Sequence, residues 1–148
     1  MSRTLSFRGQ LTDGGQDIIP LQTNKGLIGY NIRKLQIFPR DPGRGENEFV
    51  LQVFTTERTT VPTSAATVDF SDQTLLGAAY FHQKDNTAYD TGLLIVFDNM
   101  TFNQDIYVTL TDQQSDSSFC NYYIELEQKT LDLNENTVAT LKDIRNIA

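Results

Sequence analysis

The sequence predicts a mainly β protein, an antiparallel β-sandwich of about seven or eight strands with a jelly-roll-like arrangement. Three observations lead there. Short runs alternate apolar and polar residues, as in Ile106, Val108 and Leu110 against Tyr107, Thr109 and Thr111, which is the period of a half-buried strand. Turn-forming stretches separate these runs at the spacing of a sandwich. The aromatic supply is nine Phe and six Tyr with no Trp, residues that suit pleated, half-buried surfaces. A chain of 148 residues fits one domain around one core.

Taken in order, residues 1–20 read as an extended N-terminal arm with one short strand at Leu5 and Phe7, closed by the Asp13-Gly14-Gly15 turn. Residues 21–148 read as a single sandwich domain. In GLIGYNIRKLQIF the apolar phase runs Ile28, Tyr30, Ile32 and then flips to Leu35 and Ile37. A one-residue slip near Arg33 and Lys34 is what a β-bulge produces. PRDPGRGENE is a loop, and FVLQVFTT a strand. ERTTVPTSAAT reads as an exposed loop; Ser71-Asp72 reads as a cap for one helical turn before a strand ending near Phe81. LLIVFD is apolar on both faces and too short for a helix, so it reads as a central strand. The last strand places Tyr122, Ile124 and Leu126 inward.

A short C-terminal amphipathic helix is expected at about 132–146. Asp132 with Glu135 approximates a capping box, Lys142 and Arg145 suit the end of the macrodipole, and Val138, Leu141 and Ile144 form a narrow apolar stripe. Such a helix needs a surface to lie on, either the protein's own sandwich or a partner.

Charge narrows the function. The net charge is −7: residues 1–58 hold 8 basic and 6 acidic side chains, residues 59–148 hold 4 and 13. A field of that sign repels phosphate backbones, so nucleic acid is not the expected ligand. No apolar run approaches the ~20 residues that span a bilayer, and no basic leader with an apolar core opens the chain, so neither membrane nor signal-peptide export is expected. The single Cys120 forms no internal disulfide and reads as a small core residue.

No catalytic, cofactor-binding or metal-ligating constellation emerges. His82 is the only histidine, so a multi-histidine metal site is excluded, and nucleophile–histidine chemistry would need distant partners. Asp98, Asn99, Asn103 and Asp105, and Asp112 with Asp116, cluster in turns. They supply oxygen ligands of the kind calcium takes, but their spacing is not that of an EF-hand, and hydrogen bonding within turns is the favoured reading. Arg40 and Arg44 share a loop with Asp41, Glu46 and Glu48, which favours local ion pairing over anion capture.

Four stretches, GLIGYNIRKLQIFPRDPG, LLGAAYFHQ, LLIVFDNMTFNQDIYVTLTD and CNYYIELEQKTLDLNENTVATLKDIRN, resemble small virion structural proteins of marine tailed phages, including those of cyanobacteria. The resemblance spans roughly Gly26 to Asn146 and is most specific from Asn121 onward. It implies a non-enzymatic particle component made in the bacterial host cytoplasm, with no cofactor. The foremost expectation is a capsid decoration (cement) protein on the head surface, bound to the major capsid protein and to copies of itself, a trimer by analogy with threefold shell sites. A neck or tail component and a host-glycan-binding module are the alternatives. Candidate partner-docking residues are Arg3, Leu5, Phe7 and Arg8 on the arm, Arg40 and Arg44 in the loop, and Val138, Leu141, Ile144 and Arg145 on the helix.

Overall fold

The computed structural model describes residues 3–21, 28–42, 46–83, 91–97, 101–114 and 118–130. Eight strands alternate with turns: β1 (Arg3–Thr12), β2 (Gln16–Ile19), β3 (Ile28–Pro39), β4 (Asn47–Phe54), β5 (Leu75–Gln83), β6 (Thr91–Val96), β7 (Ile106–Asp112) and β8 (Phe119–Thr130). They form two antiparallel sheets, β1-β8-β3 and β2-β7-β4-β5-β6. The sandwich is jelly-roll-like. The pairings β1–β8, β2–β7 and β4–β5 are those of a long antiparallel ribbon rolled on itself. A full roll would also pair β3 with β6, but β6 stays hydrogen-bonded to β5 and ends the larger sheet.

Period-two alternation explains the core. Ile32, Leu35, Ile124 and Leu126 of one sheet meet Phe49, Leu51, Val53, Ile106, Val108 and Leu110 of the other, all buried. The register of β3 on β8 shifts between Ile32 and Lys34, so the expected bulge is present and keeps both Ile32 and Leu35 inside. Cys120 is fully buried, and burial pushes its thiol up to about 12.

Three expectations need correction or completion. The stretch expected as an arm is extended, but β1 joins its own sheet, from Arg3 opposite Gln128 to Thr12 opposite Phe119, and β2 joins the other. Alternation turns Leu5 and Phe7 inward, where they pack on the core, so they are not free to seek a neighbour. At Ser71 and Asp72 the chain makes turns, with Asp72 N–H donating to the Asp69 carbonyl at 3.1 Å, rather than a helical turn. LLIVFD does not fill a central strand: β6 is the outermost strand of its sheet, and Leu93 stands 65% exposed. An apolar run on both faces signals contact on both faces, and burial within one chain is only one way to provide it. The expected helix at 132–146, with Val138, Leu141, Ile144 and Arg145, lies outside the described residues, as does Arg44.

The long connection from β4 to β5 is laid across the outer face of the larger sheet. Thr111 Oγ1 donates to the Pro62 carbonyl (2.8 Å), Gln52 Nε2 to the Thr67 carbonyl (3.3 Å), and Gln113 Oε1 accepts from Ala66 N–H (2.8 Å). Arg58 is fixed over the Phe54 ring at 3.5 Å and bonded to Asp72 at 2.6 Å. These contacts explain why Gln52, Thr109 and Thr111, outward-facing polar residues, are buried: buried polar groups need partners.

Candidate functional site: the open side of the sandwich

The two sides of the sandwich close differently. On one side β1 lies over β2 and β7, and the Tyr122 hydroxyl crosses between the sheets to donate to Asp17 Oδ2 at 2.7 Å. Its ring passes Gly9 so closely that a Cβ there would stand 2.5 Å from the hydroxyl oxygen, so Gly9 is required by this crossing. Burial and the Asp17 carboxylate hold the Tyr122 phenol well above its ordinary range.

On the other side β3 and β6, the margins of the two sheets, leave a groove of about 800 Å³ lined by Leu35, Ile37, Phe38, Phe81, Leu94 and Tyr123 among others. Its mouth is apolar: Phe38 is 61% exposed and Leu94 53%. Beyond β6, Leu93 and Ile95 point to the outer face. Phe97 follows there in edge-to-face contact with the exposed Phe70 at 5.1 Å. Arg8, exposed at the groove, supplies positive charge to its rim.

Of the sequence-derived docking residues, Arg8 reaches this side. Arg3 opens β1 in an exposed position, and Arg40 is spread over the Phe119 ring at 4.9 Å. The exposed apolar residues of this side, Phe38, Leu93, Leu94 and Ile95, are not among the docking residues the sequence suggests; for the three on β6 the signal that could find them is the uncharged run TGLLIV.

A polar cluster sits where β4 begins and β5 ends. His82 Nε2 lies 3.0 Å from Glu46 Oε2, Tyr80 Oη donates to Glu48 Oε2 at 2.7 Å, and Gln114 Nε2 donates to Glu46 Oε2 (3.1 Å) and Glu48 Oε1 (2.6 Å). The hydrogen bond to Glu48 raises the Tyr80 phenol to about 12. Glu46 meets His82 because strand register brings β5 alongside it. The three ligand-type atoms of Glu46, Glu48 and His82 lie within 4.8 Å of one another, a mixed nitrogen and oxygen set that suits borderline divalent cations. The cluster is also closed on itself by hydrogen bonds. Asp112 serves its own turn, accepting from Gln114 N–H (2.9 Å) and Ser118 N–H (3.1 Å), whereas Asp105 ties down a distant segment by accepting from Leu21 N–H (2.8 Å). Asp98, Asn99 and Asp116 lie outside the described residues. Among the described residues, no helix is long and apolar enough to cross a membrane.

Neither the protein-family models nor the curated proteins contain a match to this chain.

Proposed function

We propose that this chain is a non-enzymatic phage virion structural protein, a capsid decoration (cement) protein that binds across major capsid subunits and stabilises the head. The supporting observation is the open side of the sandwich, where Phe38 and Leu94 stand exposed at the mouth of an apolar groove and Leu93 and Ile95 are exposed on the outer face of β6 beside it. Contiguous exposed apolar surface of this kind marks a place where another protein docks. The resemblance of the four stretches to marine phage virion proteins supplies the setting. The work done is mechanical: a specific interface of roughly 1,600 Å² holds each copy, and many copies across subunit boundaries make opening the shell costlier. Arg8 at the groove rim favours an acidic partner surface.

Quantitative mass spectrometry of purified particles tests the reading. Decoration predicts copies in proportion to the major capsid protein, and heads that still form but resist heat and osmotic shock less when the gene is deleted. A count of about a dozen or fewer, the size of a closed ring at one vertex, contradicts decoration and assigns the chain to the neck or tail.

A further inference from the structure

The two sheets have four margins, and three of them are protected against joining another sheet. An edge strand presents unpaired N–H and C=O groups, and proteins blunt it with charge, proline, bulges, short length or a covering segment. β1 carries the exposed Arg3 and Arg8. β2 is four residues long, contains Asp17 and is followed by Pro20. β3 has the bulge beside the exposed Arg33 and Lys34, ends at Pro39, and is bridged at Tyr30 by Phe102 through N–H to carbonyl bonds of 2.7 and 3.0 Å. Among the described residues, β6 shows none of these devices. Its sequence is TGLLIV, without charge or proline, and its register on β5 runs without a break from Gly77 opposite Val96 to His82 opposite Thr91. Leu93, Leu94 and Ile95 are 65%, 53% and 40% exposed, Leu94 toward the groove and the other two toward the outer face.

We propose that β6 pairs antiparallel with β6 of a second copy of this chain across a twofold axis, joining the two larger sheets into one. Three features select a second copy. The chain carries a net charge of −7, so like surfaces meet without repulsion where they are uncharged, and the stretch from Leu93 to Phe97 is such a place. Every pairing in both sheets is antiparallel, and an antiparallel edge meeting its own twofold mate continues that pattern. An isologous contact needs one unprotected edge, whereas a ring of three needs β6 to meet a different margin of the next copy, and the other margins are protected. On this inference the oligomer is a dimer, where analogy with threefold shell sites suggests a trimer. The inference rests on the reading of the open side as a docking side and narrows it: the edge takes a copy of the chain, and Phe38 with the groove remains for the shell.

Size-exclusion chromatography with light scattering on the full chain at high micromolar concentration tests the pairing. The wild type is expected at twice the 16.7 kDa chain mass. Leu93→Lys, a change at an exposed position, is expected at the mass of one chain. Ile18→Lys, on the exposed Ile18 of the protected edge β2, is expected to keep the wild-type mass. If Leu93→Lys fails to fold, dilution of the wild type reads the same equilibrium, with the mass falling from two chains toward one. A wild type that is monomeric or trimeric, or a folded Leu93→Lys that remains dimeric, overturns the inference. A monomer that still saturates particles overturns the pairing and leaves decoration standing; a dimer that never occupies particles upholds the pairing and removes decoration.

Discussion

β3 and β6 run along the same side of the sandwich, one at the margin of each sheet, and present opposite chemistry to it. β3 buries Leu35 completely and turns Arg33, Lys34 and a bulge outward. β6 turns leucine and isoleucine to solvent on both faces. The difference teaches that apolar content alone does not identify a core strand. In β3 it is buried in the core; in β6 it stands exposed to solvent.

Two leucines separate these roles most sharply. Leu35→Ala leaves a cavity in the core and is expected to cost about 2–5 kcal/mol, read from the midpoint of chemical denaturation. The same change at Leu93 is the smallest effect expected, within about 0.5 kcal/mol. Comparable losses at the two positions would break the comparison, because β6 would then be a core strand.

The closed side of the sandwich provides the next largest effect. Tyr122→Phe removes the hydrogen bond to Asp17 across the sheets and is expected to cost about 1.5–3 kcal/mol at pH 8, the range for bonds to charged groups. The fold holds the Tyr122 phenol neutral above its ordinary range, so this contribution is fully present below about pH 10, where an unfolded tyrosine ionises. It is lost as pH rises further, because the unfolded chain then releases a proton that the folded one retains. Denaturation of both proteins from pH 8 upward should show the gap narrowing above about pH 10; a constant gap would count against the assigned cause.

A smaller effect on stability sharpens the contrast between the edges. Replacing both Arg33 and Lys34 by Val removes the charges that distinguish β3 from β6. Stability should move by no more than about 0.5 kcal/mol per site, as at other exposed positions. The particle mass in light scattering should nevertheless rise above that of the wild type, as a second sticky edge appears. An unchanged mass would mean that the bulge and the Phe102 bridge protect β3 without help from charge.

Much of the fold was legible because it follows from side-chain period. Ile106, Val108 and Leu110, then Tyr122, Ile124 and Leu126, alternate cleanly and face inward, and the phase flip at Arg33 and Lys34 marked a bulge that the register contains. What depended on distant pairing was not legible. Nothing local tells that β1 joins β8, that Glu46 meets His82, or that the β4–β5 connection covers Gln52 and Thr111. The position of β6 at the margin differs from the central strand that LLIVFD suggests for a physical reason: apolar residues on two faces do not say whether a second strand lies alongside. Sequence places the candidate docking residues in the basic arm, at Arg40 and Arg44 and in the C-terminal stripe, the last outside the described residues, and it places the leucines of LLIVFD in the core, where the structure does not put them.

The central claim is that β6, and not the margin facing it, is a docking edge. Hydrogen exchange of backbone amides in the free wild-type protein, followed from low to high micromolar concentration, tests this most directly. The β6 amides that do not pair with β5 should become protected as concentration rises, while the unpaired β3 amides exchange at a constant rate. Exchange in β6 that is independent of concentration, or protection that rises in β3 instead, would contradict it.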